Sequence, residues 1–112
     1  MKLHDRHALI TGGAGSIGLA TARVFCAEGA RVTLADLPGP ALEAACAALP
    51  VGRARAVALD VTRSDDWRRA VAEALSAFGP LDVLFSNAGN SGVIAPVVDY
   101  PEDVFDSVLA VH

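Results

Sequence analysis

Residues Thr11-Gly12-Gly13-Ala14-Gly15-Ser16-Ile17-Gly18 stand between the apolar run Ala8-Leu9-Ile10 and the apolar-periodic segment Ile17 to Glu28. A glycine-rich bend between a buried strand and a helix is suited to holding phosphate. Gly12 can adopt backbone angles that a side chain would forbid, and a bare backbone can approach a diphosphate closely. The following helix turns its unpaired N–H groups and positive dipole end toward the anion. Asp36 lies about 20 residues past the bend, where a carboxylate can accept hydrogen bonds from ribose hydroxyls. A 2′-phosphate would be repelled there. No arginine or lysine follows Asp36 or sits in the bend to receive one. The pair therefore favours NAD over NADP.

The elements that must position these residues alternate. His7 to Thr11 reads as a buried strand. Ser16 to Glu28 reads as a helix, with Ile17, Ala20, Thr21, Val24 and Phe25 forming one stripe, and Gly29 stops it as a left-handed cap. Arg31 to Ala35 is a second strand. Pro38-Gly39-Pro40 is a turn, with Pro40 suited to a first helical position. The helix to Leu49 places Leu42, Ala45, Cys46 and Leu49 on one face. Ala54 to Leu59 is a third strand. Ser64 is an N-cap candidate for a helix running to Phe78, with Asp65 and Asp66 favourable in its first turn. That helix has Trp67, Ala70, Val71, Ala74, Leu75 and Phe78 on one face. Leu81 to Ser86 is a fourth strand ending in Asn87-Ala88-Gly89. Asn90 to Asp99 reads as a loop, followed by a helix from about Pro101.

Strands alternating with amphipathic helices imply parallel pairing through crossovers. The expected architecture is α/β, a doubly wound parallel sheet of strand order 3-2-1-4, truncated after the fourth βα unit. Its ligand crevice falls between strands one and four, where the order reverses. Strand four would then expose the edge meant for a fifth strand. Residues 1–112 read as one dinucleotide-binding domain, the N-terminal part of a longer one.

Composition bounds the alternatives. The 112 residues are 53% apolar and 20% charged, with a net charge of −4. This is a globular composition, not a disordered one. The basic residues are scattered and form no stripe, which argues against nucleic acid. No apolar run approaches the roughly 18 residues of a membrane span. Met1 to Arg6 lacks the apolar stretch of a secretory signal, so a cytoplasmic location is expected. Cys26 and Cys46 match no metal spacing and read as small apolar fillers within helices. His4 and His7 read as surface or strand-edge residues. No metal site is expected.

Taken together, Thr11 to Gly18, Asp36, Asp60-Val61-Thr62 and Asn87-Ala88-Gly89 resemble the short-chain dehydrogenase/reductase family over essentially the whole chain. Members are NAD(P)-dependent oxidoreductases with a Rossmann-type fold. The resemblance implies that the backbone around Gly12, Gly15, Ser16, Ile17 and Gly18 holds the pyrophosphate and adjoining ribose. It implies that Asp36 binds the adenosine ribose. Asp60 would lie near the adenine amino group, with Val61 meeting the ring through its backbone amide. Asn87, Ala88 and Gly89 would line the adenine and ribose side and brace the sheet edge. For Asp60, the plainer alternative is an anchor at a helix N-terminus or a turn. A small alcohol or carbonyl substrate and a homo-oligomer, dimer or tetramer, are implied for the complete protein.

Two positions depart from the family pattern. Ser16 stands where glycine is usual, and its hydroxyl can cap the helix or bond a phosphate oxygen. His112 stands where many members carry an asparagine of the catalytic tetrad. The family's Tyr-x-x-x-Lys pair is missing: the one tyrosine is Tyr100, Val104 follows it at the lysine position, and Lys2 is the one lysine. The alternative reading is a non-catalytic module that binds NAD or scaffolds a partner.

Overall fold

The computed structural model describes residues 4–86 and the backbone of 93–96. The expectations for Asn87, Ala88, Gly89, Tyr100, His112 and the last helix lie outside the described residues. Five strands form one sheet in the order β3-β2-β1-β4-β5. They are β1 (His7–Thr11), β2 (Arg31–Asp36), β3 (Ala54–Ala58), β4 (Val83–Ser86) and β5 (Val93–Pro96). The helices are α1 (Ser16–Ala27), α2 (Pro40–Ala47) and α3 (Ser64–Phe78). β1 pairs in parallel with β2 on one side and β4 on the other, and β3 adds in parallel to β2. The expected order of the first four strands is therefore the observed one.

β5 corrects the expectation for the segment after β4. Four residues of the expected loop pair antiparallel with β4, from Ser86 opposite Val93 to Val83 opposite Pro96. The outer edge of β4 is thus covered, not exposed. The gain is backbone hydrogen bonding along a strand that otherwise leaves its amides and carbonyls unpaired.

Two apolar layers sandwich the sheet. On one face α1 and α2 pack Ala22, Cys26, Leu42 and Ala45 against Ile10, Val32, Leu34 and Phe85. On the other, α3 packs Trp67, Ala70 and Val71 against Leu9, Ala35, Val57 and Leu84. Alternate strand residues serve opposite layers, as the two-residue period of a strand demands. Both cysteines are free, and both belong to the α1–α2 layer as apolar fillers.

Helix ends follow the expected punctuation in part. Pro40 opens α2 behind Gly39, and Gly29 adopts φ +92° just past α1. Ser64 is the first residue of α3 and not its N-cap; Arg63 holds that position without a side-chain cap. The α1 stripe also needs correction. Its buried residues are Gly18, Ala22 and Cys26, whereas Ile17 and Val24 are each 59% exposed. Small residues at i, i+4 and i+8 let the helix lie close to the sheet, and closeness outweighed side-chain size.

His7 is likewise no surface residue, being completely buried at the amino end of β1. Its Nδ1 lies 3.0 Å from the Gly79 carbonyl, which can only accept, so Nδ1 carries the proton. Nε2 then accepts from the Thr33 hydroxyl at 2.7 Å. The His7 amide donates to Asp82 Oδ2 at 3.0 Å, and the Asp82 amide donates back to the His7 carbonyl at 2.9 Å. Phe78 meets the imidazole edge-on, with ring centres 5.4 Å apart. One side chain therefore joins β1, β2 and the α3–β4 turn. Burial pushes its pKa down, outweighing the opposite pull of the Gly79 carbonyl.

Candidate functional site at the carboxyl edge of the sheet

The first three strands run in parallel, so Thr11, Asp36 and the residues after Ala58 reach the same edge. The order reverses at β1, which has β2 and β4 as neighbours. Crevices form at such a switch point because the connections leave in opposite directions.

The bend after β1 is built from short contacts. Gly12 takes φ +66°, a left-handed conformation that glycine adopts without strain. Gly13 donates its amide to the Ala35 carbonyl at 3.2 Å, tying the bend to β2. Gly15 donates to the Gly12 carbonyl at 3.1 Å and closes the loop. A Cβ on Gly18 would stand 2.3 Å from the Gly12 oxygen, and one on Gly13 would stand 2.9 Å from Leu34. Gly13 and Gly18 are thus required by the approach of α1 and β2 to the bend. Packing explains them without any ligand.

What fits an anion is the part left open. Gly15, Ser16 and Ile17 are all exposed. Gly15 is the α1 N-cap in an extended conformation, and no side chain caps the helix. Ser16 is the first helical residue, so its hydroxyl is not the cap considered from the sequence. The first-turn amides of a helix have no acceptor within it. Here the first two residues of that turn, Ser16 and Ile17, are exposed beside the positive end of the α1 dipole.

Asp36 sits across the bend at the end of β2. Its Oδ2 accepts the Ala14 amide at 3.0 Å, and Oδ1 accepts the Leu37 amide at 2.8 Å. The carboxylate is partly exposed and braces the glycine bend directly. An ionised carboxylate has about four acceptor positions, so two amides leave capacity for a diol. Sequence reasoning identified Asp36 but not its bond to Ala14, since no spacing rule announces a side chain bonding to a neighbouring strand's loop.

Asp60 follows β3 on the same edge. Its Oδ1 accepts both the amide and the hydroxyl of Thr62, at 3.0 and 2.6 Å. These bonds hold its carboxyl below the usual carboxylate range, the hydroxyl contributing most. The turn-anchor reading of Asp60 is therefore an observed contact. The motif Asp60-x-Thr62 carried that signal, because an aspartate bonding two residues on is a common local turn. Val61 packs its side chain against the α3-face core and offers its carbonyl to the Trp67 indole N–H at 2.9 Å. Among the described residues, no group of three or more His, Cys, Asp or Glu side chains could hold a metal. No helix among them is long and apolar enough to cross a membrane.

The family model of short chain dehydrogenases matches residues 6–112. The chain belongs to the short chain dehydrogenase family. Secoisolariciresinol dehydrogenase from Forsythia intermedia is 36% identical over 112 residues, covering 99% of this chain and 40% of that protein. Among solved structures, NAD+-bound xylitol dehydrogenase superposes with a TM-score of 0.73 at 39% identity, over 97% of this chain and 43% of that one. The C-domain of a bacterial malonyl-CoA reductase, solved with NADP, gives a TM-score of 0.72 at 30% identity, over 82% of this chain and 16% of that one. The chain thus spans about two fifths of the curated dehydrogenase it matches. Membership establishes an oxidoreductase family and a nicotinamide dinucleotide as its cofactor class. The two solved relatives differ in the cofactor named for them, NAD+ in one and NADP in the other.

Proposed function

We propose that this chain is the cofactor-binding part of an NAD-dependent dehydrogenase or reductase that transfers hydride between nicotinamide and an alcohol or carbonyl carbon. The observation that carries the reading is the exposed, uncapped start of α1 lying beside a carboxylate bonded into the same bend. The amides near Gly15, Ser16 and Ile17 would take the pyrophosphate, with Gly12 and Gly18 shaping the bend behind them. Asp36 would accept from the ribose hydroxyls while keeping its bond to Ala14. The neutral run Leu37-Pro38-Gly39 after it supports NAD, because it offers no cation to a 2′-phosphate. Asp60 and Val61 would bound the adenine. Asn87, Ala88 and Gly89 would continue the same wall.

When bound, the nicotinamide supplies the hydride acceptor or donor. This chain's residues would bind and orient it, and orientation provides much of the rate advantage in such transfers. Proton transfer is assigned to a tyrosine–lysine pair outside these residues, because no Tyr-x-x-x-Lys occurs among the 112. The test is calorimetric titration of NAD and NADP into the complete protein, beside a dehydrogenase assay on a panel of alcohols. NAD binding about tenfold tighter than NADP or better, with turnover on at least one alcohol, is expected. No NAD heat at millimolar ligand, or a preference for NADP, would overturn the reading. NAD binding without turnover on any alcohol would point to the non-catalytic module instead.

A further inference from the structure

The β3–α3 connection carries more hydrogen bonding than a simple crossover needs. The Asp60 amide donates to Asp66 Oδ2 at 2.6 Å. The other oxygen of Asp66 holds the Arg69 guanidinium at 2.8 and 3.0 Å. Arg69 in turn donates to the Ala58 carbonyl at the end of β3 and pairs with Glu73 at 2.9 Å. On the other side of the connection, the indole of Trp67 is 1% exposed and donates to the Val61 carbonyl. Two consecutive residues of α3 therefore grip two consecutive residues of the loop, one through an amide and one through a carbonyl. Asp60 spends Oδ1 on Thr62, so its side chain also has a fixed direction.

A helix start and a core tryptophan do not require this arrangement. An acid in the first turn of a helix gains from the dipole wherever it points. A buried indole needs an acceptor, but any nearby carbonyl would satisfy it. Here both acceptor and donor belong to the dipeptide that the proposed function puts against the adenine. We propose that Asp66 and Trp67 are positioning residues that hold Asp60–Val61 ready for the adenine ring before the dinucleotide arrives. The inference rests on the reading of Asp60 and Val61 as the adenine wall. Pre-setting a loop raises affinity by removing the ordering cost from the binding step.

The test uses the complete protein with Trp67→Phe, which keeps an aromatic ring in the core and deletes the indole N–H. Asp66→Ala, which deletes the acceptor of the Asp60 amide, is the second variant. Two readouts are compared. Hydrogen exchange on the cofactor-free protein should show faster exchange at the amides of residues 60–62 in both variants. Steady-state kinetics should show KM for NAD rising about fivefold, the equivalent of one hydrogen bond. KM for nicotinamide mononucleotide, which lacks the adenosine half, should stay within about twofold, the difference of a few tenths of a kcal/mol. Equal rises for both cofactors would make the two residues merely structural and overturn the inference, as would unchanged exchange. Faster exchange in a protein whose parent form does not distinguish NAD from nicotinamide mononucleotide would overturn the adenine wall itself, and the positioning role with it.

Discussion

At the scale of single residues, Asp36 combines two duties that are usually separate. It braces the glycine bend through Ala14 and presents acceptor capacity to the crevice. Replacing it with alanine removes both. The expected outcome for Asp36→Ala is a loss of NAD affinity of about tenfold or more, with no gain in NADP affinity, because the bend loosens while no cation is added. Calorimetry with the two dinucleotides checks this. A variant that switched cleanly to NADP would show that the Ala14 bond contributes nothing. The other candidate positions divide in the same physical terms. Gly13 and Gly18 answer to packing, and Gly15, Ser16 and Ile17 answer to solvent.

At the scale of elements, α1 and β1 each behaved differently from their sequence pattern. In α1 the stripe read from the sequence placed Ile17 and Val24 inward, where they are exposed, while Phe25 of the same stripe does pack against the core. Ala22→Leu should cost about 1–3 kcal/mol by overpacking the close approach to the sheet. Val24→Lys should stay within about 0.5 kcal/mol because the residue faces solvent. Urea unfolding of the two variants distinguishes the faces. In β1 the buried His7 makes stability depend on pH. Its folded pKa is depressed below the ordinary value of about 6.5, so the unfolded state takes up the proton first. The contribution is complete above about 6.5 and is lost as pH falls through that value toward the folded one. Urea midpoints should therefore decline between pH 7.5 and 5.5, and His7→Gln should flatten that decline. The strand order and the strand-end acids were legible, because βα alternation and Asp36 and Asp60 at strand ends are local signals. The face of α1, the burial of His7 and the pairing of β5 were not. Each depends on partners far away in sequence: the sheet beneath α1, Gly79 and Thr33 around His7, and β4 beside β5.

At the scale of the molecule, the sheet has two ends with different tasks. The amino end is tied by His7, Asp82 and Gly79, and the carboxyl end holds the glycine bend, Asp36 and Asp60. His7 and the bend are separated by the length of β1, about 13 Å at the usual rise per residue. Changes at the two ends share no partner, so they should add. His7→Gln and Gly18→Ala combined should match the sum of the single effects within about 0.5 kcal/mol in a double-mutant cycle. A larger coupling would mean that the strand transmits strain from one end to the other. The glycine bend would then be constrained by what happens at the other end of the strand.

The sequence contains one tryptophan, and it is the residue whose indole bonds to Val61. The protein therefore carries an intrinsic fluorescent probe directly under the β3–α3 loop. Its emission should be blue-shifted while the indole stays dry, and it should move to longer wavelength when that loop lifts away. No dye or label is needed to follow that contact.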